Sequence, residues 1–146
     1  MDKAMSEHLW TLLCTACEVE KESLSALRKC LNAVVHPAAR ERLHEHLSET
    51  RWQMKLLDAC LDINGVDKSR FKRGVARLVP KISRENLFTI KCAEVDLYEK
   101  IIFIARKGHT SDVLQACREI LEQERAMAEW IEDNHALVNI SFSAIA

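Results

Sequence analysis

Residues 37–65 read PAARERLHEHLSETRWQMKLLDACLDING, and this stretch decides the fold. Pro37 suits the first turn of a helix, where a missing N–H costs nothing, and the next glycine, Gly65, is the residue type that closes one. Between them Leu43, Leu47, Thr50, Met54, Leu57 and Leu61 alternate in steps of four and three, the spacing of one helical face. His46, Glu49, Gln53, Leu56 and Cys60 flank that seam. The segment predicts one helix from Pro37 to Asn64.

The same reading extends in both directions. Upstream, Leu13, Cys17, Glu20, Leu24, Leu27 and Leu31 predict a helix over Ser6–Val34, ended at His36-Pro37. Downstream, Ser83 is the expected N-cap of a third long helix ending at Gly108, with Phe88, Cys92, Val95, Glu99 and Ile102 on its seam. Thr110 or Ser111 opens a fourth, whose seam is Leu114, Cys117, Leu121, Glu124, Ala128 and Ile131, and a short apolar tail covers Leu137–Ala146. The stretch Gly65–Ser83 contains Gly74 and Pro80 and leaves room for a short helix only. Tight joints within each helix pair predict two antiparallel hairpins, and a middle segment of roughly 18 residues can cross the length of a bundle. The expected fold is all-α: a single ferritin-like four-helix-bundle domain over residues 1–146, with one long crossover carrying a short helix.

Composition agrees and sets the context. Three Gly and two Pro in 146 residues are too few for turn-rich β folds or glycine-loop nucleotide folds, while 48% apolar residues can fill a core. A net charge of −1 gives no bulk attraction to nucleic acid or to anionic membranes. The basic residues of the crossover, Lys68, Arg70, Lys72, Arg73, Arg77, Lys81 and Arg84, read as a solvated face rather than a nucleic-acid site. No apolar run is long enough for a membrane span, and the first residues have no secretory pattern, so six cysteines point to reduced thiols in the cytoplasm.

Chemistry is expected where the seams are broken. A bundle seam should be apolar, because an unpaired buried carboxylate is costly. Yet Glu20, Glu99 and Glu124 each fall on a seam near mid-helix, and Glu49 lies one step off the second. One carboxylate per helix at mid-bundle is the arrangement that binds two cations between helices. His46, one turn before Glu49, is expected as a hydrogen-bonded interior or boundary histidine. Cys14, Cys17, Cys60 and Cys117 fall toward one end of the bundle and read as small apolar side chains, with a copper or redox cluster as the alternative.

The motif His44-x-His46-Leu47-x-Glu49-Thr50-x-x-Gln53, followed by Gly65-Val66-Asp67 and Gly74, resembles the YciE/YciF family of bacterial ferritin-like proteins. So do Glu20-Lys21, Val95-Asp96-x-Tyr98-Glu99 and Leu121-Glu122-Gln123-Glu124, in order, from about Leu9 to Ile131. The resemblance implies a bundle, often a homodimer, in stress-related proteins without an assigned activity. It also implies a di-metal centre of Glu20, Glu49, Glu99 and Glu124, with Gln53 and Asp96 nearby, holding iron, manganese or zinc. The sequence departs from the wider ferritin-like pattern. Trp52 and Met127 stand where the Glu-x-x-His pairs need histidine, and Asp96 stands where the family usually has Glu. Two readings follow. One is a stress-response protein with a metal centre, intact or degenerate, whose chemistry is at most metal-assisted redox or peroxide chemistry beside Tyr98 and Trp52. The other is a metal-free module with paired or protonated carboxylates, acting through dimerisation or a protein partner at the tail Val138–Ile145.

Overall fold

The computed structural model describes residues 1–79 and 86–138. Its helices are α1 (Lys3–Ala33), α2 (Pro37–Ile63), α3 (Lys72–Leu78), α4 (Leu87–Lys107) and α5 (Ser111–Asp133), with a 3-10 turn at Lys68–Phe71. Local chemistry sets the ends. The Asp2 carboxylate accepts from the Met5 N–H at 2.7 Å, so α1 begins earlier than Ser6. Pro37 occupies the first turn of α2, and Arg40 Nη1 reaches back to the carbonyls of Leu31 and Val34, tying the hairpin together.

At the far end of α2, Gly65 takes a φ of +65°, and the Val66 N–H donates to the Leu61 carbonyl at 2.9 Å. Asn86, rather than Ser83, caps α4, accepting from the Thr89 N–H at 2.9 Å. Ser83, Pro80, Lys81, Arg84 and the tail beyond Val138 lie outside the described residues. The crossover carries the expected short helix. It packs on α1 so closely that a Cβ at Gly74 would stand 2.6 Å from Thr11 Cγ2.

The long helices form a ring in which α1 packs on α2, α2 on α5, α5 on α4 and α4 on α1. Side-chain pairs fix the directions. Tyr98 with Glu20 and Lys91 with Ser23 make α4 antiparallel to α1. Gln53 with Gln123 and Cys60 with Asp112 make α5 antiparallel to α2. Helices α1 and α5 thus run the same way, as a bundle with one long crossover requires.

The core is divided. One apolar half gathers Leu9, Leu13, Leu57, Ile101 and Ile120, the other Leu27, Leu43, Leu87, Met127 and Ile131. Between them lies a layer of buried polar side chains: Glu20, Ser23, His46, Thr50, Lys91, Glu94 and Glu124.

The seams of α1, α2 and α5 lie inward largely as expected, but α4 is rotated from its expected seam. Its buried face is Leu87, Ile90, Lys91, Glu94, Leu97, Tyr98, Ile101, Ile102 and Ala105; of the expected seam only Ile102 is buried, whereas Cys92 and Glu99, with Asp96, are exposed. Leucine and isoleucine remove more apolar surface from water than cysteine and valine do, so the stripe richer in them turns inward and carries Lys91 and Glu94 with it.

Candidate metal centre

Four helices supply the polar layer at one level. Glu20 comes from α1, His46 from α2, Lys91, Glu94 and Tyr98 from α4, and Glu124 from α5, all with no exposed surface. One oxygen from each of Glu20, Glu94 and Glu124 lies within 4.8 Å of the others, a spread that one cation with oxygen ligands at about 2.0–2.6 Å can span.

Each side chain has a definite place. The Tyr98 hydroxyl donates to Glu20 Oε1 at 2.7 Å. Lys91 Nζ donates to Ser23 Oγ at 2.7 Å, lies 3.0 Å from Glu124 Oε2, and meets the two Glu94 oxygens at 3.4 and 3.3 Å. His46 Nδ1 is 2.7 Å from Glu49 Oε1, and Nε2 faces Glu124 Oε1 at 3.6 Å. Glu20 Oε2, His46 Nε2 and both Glu124 oxygens are buried without a hydrogen-bond partner among the described residues, the Lys91 contact to Glu124 being an ion pair.

Burial and neighbouring charge divide the three acids. Burial, with Glu124 nearby, pushes the Glu20 carboxyl up to about 8. Burial, with the Glu124 and Glu20 carboxylates nearby, raises Glu94 well above the usual range. Burial would raise Glu124 as well, but the Lys91 ammonium outweighs it and holds Glu124 ionised. Lys91 keeps its proton: burial disfavours the ammonium, and the surrounding carboxylates more than restore it. His46 is held neutral by burial and by Lys91. A neutral His46 that donates from Nδ1 to Glu49 presents its Nε2 lone pair to the centre, the carboxylate–histidine arrangement found behind metal-ligating imidazoles.

The residues expected at the centre fare differently. Glu20 and Glu124 meet there. Glu49 is partly exposed, bonded to His46 and Arg42, and touches the centre through His46 alone. Gln53 is buried and donates to Gln123 Oε1 at 2.9 Å. Glu99 stands on the outer face of α4 in an ion pair with Arg125 at 2.6 Å, and Asp96 is exposed beside it, so neither joins the cluster. Trp52 is 54% exposed and stands away from the centre, whereas Met127 packs in the apolar half next to it.

Sequence reasoning missed Lys91 and Glu94. Both lie on the stripe Leu87, Lys91, Glu94, Tyr98, Ile101, Ala105, whose steps of four and three are as regular as those of the stripe through Cys92 and Glu99. In the crossover, Lys68 pairs with Asp58, and Arg70 pairs with Glu7 and lies over Phe71. No described helix is long and apolar enough to cross a membrane.

Known proteins share this architecture. A Xanthomonas campestris protein matches with a TM-score of 0.74 at 24% identity, over 97% of each chain. The Escherichia coli stress protein YciF matches with a TM-score of 0.70 at 17% identity, over 90% of this chain and 94% of its own. YcfI of Rhodopseudomonas palustris matches with a TM-score of 0.64 at 17% identity, over 88% of this chain and 92% of its own. At such identities the likeness carries the fold alone. The family model described as "Domain of unknown function (DUF892)" matches residues 4–89, more than half of the chain. With the motifs of α2 inside that match and the YciF fold over nearly the whole length, the chain belongs to the DUF892 family, that of the YciE/YciF proteins.

Proposed function

We propose that this chain is a ferritin-like stress-response protein that holds a single divalent transition-metal ion, iron, manganese or zinc, in its mid-bundle layer. The observation that carries the reading is the buried trio Glu20, Glu94 and Glu124 on three different helices, one carboxylate oxygen of each within 4.8 Å of the others, with Glu20 Oε2, His46 Nε2 and both Glu124 oxygens lacking hydrogen-bond partners. Glu20, Glu94, Glu124 and His46 would hold the ion, and Glu49 would orient the imidazole. Carboxylate oxygen with one imidazole suits manganese, iron and zinc. Bound there, such an ion supplies Lewis acidity and, for iron or manganese, one-electron redox chemistry. Tyr98 holds Glu20 in place and keeps its own proton, because burial and Glu20 raise its pKa well above the usual value. The stress assignment draws on the family and on YciF, and free thiols accord with a reducing cytoplasm.

Elemental analysis after anaerobic loading with Fe(II), Mn(II) or Zn(II) tests this reading. About one ion per chain is expected in the wild type and in Glu99→Ala, and near none in Glu20→Ala and Glu124→Ala. Equal metal in all four, or none in the wild type, overturns it. A second reading, a metal-free module acting as a homodimer or on a protein partner, is favoured by a specific observation: Lys91 lies 3.0 Å from Glu124 Oε2 and offsets its charge, and burial favours the protonated form of Glu94, so much of the layer is neutralised unaided.

A further inference from the structure

The family resemblance implies two metal ions, and the charges of this layer do not fit two. Three carboxylates, Glu20, Glu94 and Glu124, face one another around the ammonium of Lys91. A metal displaces the protons of the acids that ligate it, and with all three ionised one dication and the ammonium bring three positive charges against three negative ones. Two dications would bring five, in a layer from which water is excluded, where unbalanced charge is most costly. Glu49 does not change the balance, because Arg42 offsets it outside the layer.

We infer that Lys91 is a built-in cation occupying the second of two cation positions, so that the centre takes one dication instead of two. The geometry is that of a bound cation. Lys91 Nζ sits nearly equidistant from both oxygens of Glu94, at 3.4 and 3.3 Å, and 3.0 Å from Glu124 Oε2. Ser23 on α1 accepts its remaining hydrogen bond at 2.7 Å, fixing the ammonium between α1, α4 and α5. Turned away from these partners are Glu124 Oε1, opposite the oxygen that pairs with Lys91, and Glu20 Oε2, opposite the oxygen held by Tyr98, and neither has a hydrogen-bond partner. The ammonium and the vacant lone pairs therefore divide the layer into two positions, one filled by the chain itself.

This inference rests on the one-metal reading above, and one experiment separates the two. Wild type, Lys91→Met and Lys91→Arg are loaded with Mn(II) alone, and metal per chain and thermal midpoint are measured. Lys91→Met keeps the length of the side chain and removes its charge, whereas Lys91→Arg keeps the charge. The expected result is about one ion in the wild type, a doubling in Lys91→Met, and no increase over wild type in Lys91→Arg. One ion in both wild type and Lys91→Met overturns the role of Lys91 and leaves the metal reading standing. None in the wild type with one or more in Lys91→Met overturns the metal reading and supports Lys91 as the resident cation. None in either overturns both. If Lys91→Met is unfolded without metal, helicity that returns on adding Mn(II) supports the inference, and helicity that does not return overturns it.

Discussion

Two layers of this bundle contain side chains of metal-ligating type, and burial has opposite consequences in them. Cys14, Cys17, Cys60 and Cys117 lie within one apolar half, where burial pushes the Cys17 thiol up to about 12 and Cys60 to about 11. They remain protonated and pack as small apolar groups. In the carboxylate layer burial also opposes charge, yet Glu124 stays ionised because Lys91 is buried with it. A layer becomes a site when a countercharge is buried along with the ligand atoms. The thiol layer has none of its own; Lys68, which lowers Cys14 and Cys17 slightly, sits at its edge and is committed to Asp58.

The sharpest way to test this contrast is pH. In the folded protein Glu20 and Glu94 hold protons above the usual carboxylate value of 4.5 that the unfolded chain has released, so stability falls as pH rises from 4.5 to the Glu20 value of about 8. The slope approaches about 1.4 kcal/mol per pH unit for each proton so held. His46, kept neutral, opposes this below its usual 6.5, so the fall in thermal midpoint is steepest between pH 6.5 and 8. Glu20→Gln should flatten it. A metal-free wild type whose midpoint rises across that interval would remove the buried, protonated acids from the account.

A smaller effect probes the thiol layer. Cys117→Ser places a hydroxyl among apolar neighbours and should cost about 1–3 kcal/mol in urea unfolding. In the folded protein a thiol reagent at neutral pH should label Cys92 and spare the five buried cysteines. Rapid labelling of Cys17 would show that this layer is not inert. The smallest effect belongs outside the core: Glu99→Ala breaks an exposed pair with Arg125 and should change stability by about 0.2–1 kcal/mol. A loss of several kcal/mol there would return Glu99 to the interior.

The fold was legible because helices of this length leave few alternatives. Pro37, Gly65 and the seams of α1, α2 and α5 place three of the four long helices and the crossover, and they bring Glu20 and Glu124 inward. Helix α4 was harder to read because it carries two stripes at the same period. A charged Lys91 and Glu94 make the inner stripe look like a surface, while Phe88, Cys92 and Val95 make the outer one look like a core. The cost of burying Lys91 is offset only by acids on other helices, and such compensation is a property of the assembled bundle that no single helix reveals. His46 was readable as an interior histidine, but the direction of its Nε2 depends on Glu49 fixing the ring.

The division of the core by a charged layer also determines axial alignment. Two apolar halves alone would tolerate a helix sliding by a turn, since leucine meets leucine again after about 5.4 Å. Such a slide of α4 would carry the Lys91 ammonium away from Ser23 and Glu124 and into one of the hydrocarbon halves, leaving unpaired charges on both sides. The layer therefore acts as a detent, holding four otherwise slippery cylinders at one register, as a buried polar residue does in a coiled coil.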